Sequence, residues 1–128
     1  MSRLVVLVGI GGFLGSASRY ALSGYVQRLT QSTSFSYGTI AVNVLGCLLV
    51  GFLSQLAESR GFLGPQARAI LIVGFLGGFT TFSTFSNETV NLVRDSQNGI
   101  ALLNVAAHLA LGLGAVWAGR ALAFSLWR

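Results

Sequence analysis

Long apolar stretches alternate with short polar connectors along the chain. Apolar residues dominate from Leu4 to about Leu22, from Thr39 to Ala57, from about Ala69 to Val93 and from Ile100 to about Leu126. The connectors are Gln27 to Ser36, Glu58 to Arg68, and Arg94 to Asn98. A helix needs roughly 20 mostly apolar residues to cross the hydrocarbon core of a bilayer. The pattern therefore predicts an all-α membrane protein: one four-helix transmembrane domain over residues 1–128. Pro65, the only proline, falls in the second connector, where a helix is expected to end. Tyr20, Tyr25, Tyr37 and Trp127 fall near the predicted span ends, where interfacial aromatics gather.

Composition agrees with the pattern. Apolar residues make up 53% of the chain and charged residues 9%, and the mean hydropathy is +0.73. A soluble domain carries about a quarter charged residues. Eight basic and three acidic side chains are too few to cover a globular surface, which excludes most soluble enzymes and disordered tails. The net charge of +5 comes from scattered arginines with no lysine. A nucleic-acid binder gathers its basic residues on one face, so no nucleic-acid partner is expected and the bilayer is the surrounding phase.

Two N-terminal patterns invite other readings. Arg3, the apolar run Leu4 to Leu14 and Ser16-Ala17-Ser18 resemble a secretory signal, yet its removal would leave three spans. Leu4 to Val8 followed by Gly9, Gly11, Gly12 and Gly15 mimics a strand entering a dinucleotide-binding loop. Leu14 stands where the third glycine belongs, and no acid follows at ribose distance, the first being Glu58. Gly11 and Gly15 instead form a G-x-x-x-G pair suited to close helix packing. Cys47 is single and lies within a span, so it forms no intrachain disulfide. The sequence shows no zinc-type cluster and no arrangement of nucleophile, base and orienting acid. An enzyme is not expected.

Four crossings put Arg3, Arg60, Arg68, Arg120 and Arg128 on one side and Arg19, Arg28 and Arg94 on the other. Arg19 and Arg120 lie partly within spans and count weakly, so the bias that normally sets orientation is small. Insertion in both directions and insertion in one preferred direction both fit this balance.

The third span contains Gly77-Gly78-Phe79-Thr80-Thr81-Phe82-Ser83-Thr84-Phe85-Ser86. Adjacent glycines followed by a cluster of Ser and Thr make poor continuous helix. A break at membrane depth frees backbone groups that must face protein, water or an ion, as in the discontinuous helices of transporters. A glycine-kinked packing helix, with its hydroxyls bonded back to its own carbonyls, fits the pattern equally well.

That stretch closely resembles the signature of the small fluoride channels of the Fluc or CrcB type. Gly38-Thr39-Ile40-Ala41-Val42-Asn43 is similar to the family's second-span motif, and Gly11-Gly12-Phe13-Leu14-Gly15 with Arg19 to its first-span motif. The resemblance covers essentially the whole chain. It implies a passive channel that exports fluoride from the cytoplasm across the inner membrane. It also implies a broken third helix and an antiparallel, dual-topology homodimer with two pores. A structural sodium ion at the dimer centre would be held by the backbone carbonyls of Gly77 and Thr80. On the fluoride pathway, Phe82 and Phe85 match the pore-lining phenylalanines, Asn43 the donor amide, and Arg19 the basic residue near the vestibule. Ser83, Ser86 and Glu88 are assigned beside the path.

The chemistry of the residues is compatible with an anion. Fluoride is small and strongly hydrated, so a pore must replace its water with donors, which Asn43 and the hydroxyls supply. Phenyl rings have a positive edge, and a central cation raises the local potential. Phe82 and Phe85 at this spacing also suit simple core packing. The fourth span departs from the family: Asn104, His108 and Gly112 stand where a stripe of Tyr and Ser is usual. Asn104 and His108 share a helical face and are expected to line the path, with His108 donating in place of a serine. Two other classes fit four short spans. A small proton-coupled multidrug or cation antiporter needs a membrane-buried acid, which the first span lacks, and a non-transporting membrane subunit would use its glycines for packing alone.

Overall fold

A computed structural model describes residues 2–126; the expectations for Trp127 and Arg128 lie outside the described residues. The described residues form helices joined by short connectors, with no strand among them. In order it forms α1 (Ser2–Thr30), α2 (Tyr37–Arg60), α3 (Pro65–Ala67), a π-helical stretch (Arg68–Leu76), α4 (Gly77–Phe79), α5 (Phe82–Arg94) and α6 (Asn98–Leu126). Four segments are long and apolar enough to cross a membrane: Ser2–Thr30, Tyr37–Ser59, Pro65–Arg94 and Asn98–Leu126.

The four spans stand where the hydrophobic pattern puts them, but their helices are longer than the apolar runs. Backbone groups in lipid must bond internally, and a helix goes on doing so through polar residues until water or a cap replaces the ladder. Thus α1 absorbs Gln27 to Thr30, and Tyr20 lies inside it rather than at its end. Helix α2 ends at Arg60, within the connector that holds Pro65. Pro65 itself is the first residue of α3, where its missing N–H and fixed φ are no handicap.

The N-terminal glycines form no strand or loop. Gly11 and Gly15 are buried on α1, and a Cβ there would overlap the carbonyls of Ile70 and Phe75 respectively. The approach is reciprocal, because a Cβ on Gly74 would lie 2.7 Å from the Val8 carbonyl and one on Gly78 2.7 Å from that of Gly12. Small residues on both sides let the backbones of α1 and the third span nearly touch. On the other side of the bundle α2 packs along α6, where Gly51 meets the Val116 carbonyl and Gly119 the Leu48 carbonyl. The outward faces are apolar: Phe13, Tyr20, Phe82 and Trp117 are all exposed.

Thr80 (φ −98°, ψ 155°) and Thr81 (φ −148°, ψ 115°) take extended dihedrals between α4 and α5. Helix α5 then starts with a side-chain cap, as Thr81 Oγ1 accepts the Thr84 N–H at 3.2 Å. This juncture, facing α2 and α6, positions the site.

Candidate functional site

Asn43 of α2 binds both backbone groups of Thr81. Its Oδ1 accepts the Thr81 N–H at 2.8 Å, and its Nδ2 donates to the Thr81 carbonyl at 3.2 Å. An extended residue at membrane depth lacks helical partners, and this one amide supplies two. Nδ2 also lies 3.1 Å from His108 Nε2 on α6. The imidazole is held from behind, with Nδ1 3.1 Å from the Asn104 backbone carbonyl one turn earlier.

The polar chain continues along α6. Asn104 is only 1% exposed and donates from Nδ2 to Thr89 Oγ1 at 2.9 Å, while Thr89 donates to the Phe85 carbonyl at 2.8 Å. Glu88, one residue before Thr89, accepts the Thr39 hydroxyl on Oε1 at 2.7 Å. Among the described residues, Glu88 Oε2 and Asn104 Oδ1 are buried acceptors with no donor.

Three rings stand in series. Phe82 and Phe85 lie 5.5 Å apart between centroids and Phe85 and His108 4.3 Å apart, all tilted rather than stacked. Phe82 is 79% exposed and so faces outward from the chain, whereas Phe85 is half-buried.

One cavity of ≈ 370 Å³ gathers most of the residues singled out in the sequence: Asn43, Gly77, Thr80, Phe82, Phe85 and His108 all line it, together with Cys47 and Gly112. Glu88 lines a separate polar recess with Ser36 and Asp95. Ser83 is exposed, its Oγ 3.1 Å from Thr81 Oγ1, and Ser86 is half-buried on α5; neither lines the main cavity. Arg19 is also away from it, donating from Nε to the Gly78 carbonyl at 3.0 Å. Among the described residues no three His, Cys, Asp or Glu side chains gather as metal ligands do.

Sequence reasoning missed three threonines. Thr39, Thr81 and Thr89 each hold a site residue in place, and Thr81 is the hub of the Asn43 pairing. Thr39 and Thr81 fall within the quoted motifs, but a hydroxyl beside a membrane residue gives no sign of its long-range partner.

A family model described as CrcB-like protein, Camphor Resistance (CrcB), matches residues 6–120. The chain is 48% identical over 124 residues to a protein of Chlorobaculum tepidum, covering 97% of this chain and 96% of that one. It is 44% identical over 115 residues to one of Methylobacillus flagellatus, covering 90% of each. A relative in Nitratidesulfovibrio vulgaris is 46% identical over 115 residues, 90% of this chain and 92% of its own. All three carry the name Fluoride-specific ion channel FluC. With the family model matching residues 6–120 and four membrane-length segments among the described residues, the chain belongs to the CrcB family of multi-pass membrane proteins.

Proposed function

We propose that this chain forms a passive, fluoride-selective channel and performs no chemical reaction. The observation that carries the reading is its identity of more than 40%, over nine-tenths of its length, to proteins named fluoride-specific ion channels. The site's chemistry supports it. Amide and hydroxyl donors and two phenyl rings stand around one cavity, and donors together with positive ring edges suit a small, strongly hydrated anion. Asn43, Phe82 and Phe85 are assigned to the pathway, with Asn104 and His108 on its fourth-span side. Ser83, Ser86 and Glu88 stand beside it, and Arg19 serves the vestibule. Hydrogen fluoride enters cells neutral and dissociates inside, so such a leak in the inner membrane lets fluoride out and lowers its toxicity.

The assembly we propose is an antiparallel, dual-topology homodimer of single-domain protomers, with two pores at the interface. The small arginine bias supports insertion both ways, and outward-facing Phe82 suits a pathway completed by a second copy. The third helix is read as broken at Thr80 and Thr81, and the break serves a structural sodium ion bound by the carbonyls of Gly77 and Thr80. The local hydrogen bonds support the fit. The Thr81 N–H, which would continue the helix onto the Gly77 carbonyl, goes to Asn43 instead. The Thr84 N–H, which would reach the Thr80 carbonyl, goes to the Thr81 hydroxyl. Neutral backbone oxygens released in this way suit a hard cation. Bound there, sodium would supply positive potential near the anion path.

The proton-coupled antiporter is not favoured. Fluoride release from vesicles with no pH gradient tests the choice: a channel conducts on the fluoride gradient alone, whereas an antiporter requires a counter-gradient of protons. A non-transporting subunit would pass no fluoride under either condition.

A further inference from the structure

The partners of Asn43 and His108 fix which atom carries which hydrogen. The Thr81 N–H can only donate, so the Asn43 atom 2.8 Å from it is the oxygen. The amide nitrogen then faces the Thr81 carbonyl and His108 Nε2, at 3.2 and 3.1 Å, and these two acceptors take up both of its hydrogens. On the far side of the ring, the Asn104 carbonyl can only accept, so Nδ1 carries the imidazole proton. Nε2 is therefore a lone pair receiving the Asn43 N–H. In this state the neutral imidazole offers the cavity no donor, and Asn43 has none left over.

We propose that His108 is a positioning residue that governs the Asn43 amide, and that proton uptake at Nε2 releases one Asn43 N–H to the anion pathway. The inference rests on the fluoride-channel reading above. A protonated ring donates from both nitrogens. Nδ1 keeps its bond to the Asn104 carbonyl, while the new Nε2–H meets the Asn43 N–H donor to donor, and that contact must part. Two donors, one of them charged, then face a cavity that had none from this pair, and charge-assisted bonds are the stronger kind. The only covalent change is one N–H formed with a proton taken from water.

Each neighbouring element contributes groups near the ring. Helix α5 contributes Glu88, whose carboxylate accepts the Thr39 hydroxyl, and the Phe85 ring. Helix α2 contributes neutral Asn43 and the Cys47 thiol, and the third span Thr80 and Thr81, beside which the sodium ion proposed above would add a positive charge. Arg19 of α1 is turned to the Gly78 carbonyl, and Arg120 of α6 is about three turns away along the helix.

The chain has a single histidine, so nitrogen-15 imidazole spectra of the reconstituted protein read this ring alone. The expected spectrum shows the Nδ1–H tautomer at about pH 7.5 and a doubly protonated ring at about pH 5.5. An Nε2–H tautomer at the higher pH, or a ring still neutral at the lower one, overturns the proposal. Fluoride efflux from the same vesicles, corrected by protein-free vesicles, should rise about tenfold between those pH values, the worth of one charge-assisted hydrogen bond. H108Q retains an acceptor but takes up no proton, so its profile should be flat. A flat parent profile with fluoride still passing, or an H108Q variant with the parent's step, contradicts the proposal. If fluoride fails to pass at any pH, the channel reading falls, and the spectra still decide whether the ring holds Asn43 as described.

Discussion

Arg19, midway along α1, donates from Nε to the carbonyl of Gly78 at 3.0 Å. A charged side chain within a membrane span is costly unless it is bonded or hydrated, and a carbonyl beside the Thr80–Thr81 juncture needs a donor. Each answers the other, and the bond ties α1 to the end of α4. Replacing Arg19 with Leu leaves the carbonyl without this donor and should destabilise the fold by about 1–3 kcal/mol. Arg19→Gln keeps a donor and should recover part of that. Denaturant unfolding in detergent checks both; equal stability of Arg19→Leu and parent would show the bond to be incidental.

Backbone proximity at Gly15 makes the second prediction. A Cβ there overlaps the Phe75 carbonyl, and backbone cannot step aside as a flexible side chain can. Gly15→Ala should force α1 off the third span at a cost of about 1–3 kcal/mol or more. Gly9, with nothing within 4 Å of its Cβ position, should accept Ala with no loss. Folded yield by size exclusion compares the two, and equal yields would contradict the close packing.

The phenylalanines separate packing from anion contact. Phe82→Ile and Phe85→Ile keep apolar bulk but remove the ring edge, and Phe82 is too exposed in the single chain for the change to open a core cavity there. Fluoride flux should fall about tenfold in each, taking the edges at the upper end of aromatic contacts, with the parent's elution position retained on size exclusion. Unchanged flux in both would make them packing residues.

Orientation is tested by tagging one terminus with cysteine in a Cys47→Ala background. Impermeant reagent should label comparable fractions from the two sides of the membrane, because the arginine bias is small. Three arginines added to one connector should tip insertion one way and lower flux. Labelling of the unmodified orientation from one side alone would refute dual topology.

Much of this molecule is legible in the sequence because lipid imposes a simple pattern: apolar runs of bilayer length mark the spans, and the G-x-x-x-G pair at Gly11 and Gly15 marks a close helix contact. Thr80 and Thr81, with their extended dihedrals, lie in the glycine–threonine stretch, whose composition fits a break and a kinked packing helix equally. The π-helical turn over Arg68–Leu76 was not legible, since no residue type encodes it. Pro65 marks the connector in which α2 ends, but not that it also opens α3, because proline is compatible with a helix start as well as a stop. At the site, Asn43, Phe82, Phe85 and His108 could be named, but not that His108 directs its donor to the Asn104 carbonyl and its lone pair to Asn43. Such pairings depend on how three helices meet, and spacing within one helix carries no record of that.

The most direct test of the account is efflux from liposomes containing the purified protein and loaded with equal fluoride and chloride, followed by two ion-selective electrodes after a potassium ionophore dissipates the membrane potential. The account predicts prompt release of fluoride with chloride retained. Chloride loss equal to that of fluoride, or no fluoride loss from protein shown to be folded, would contradict it.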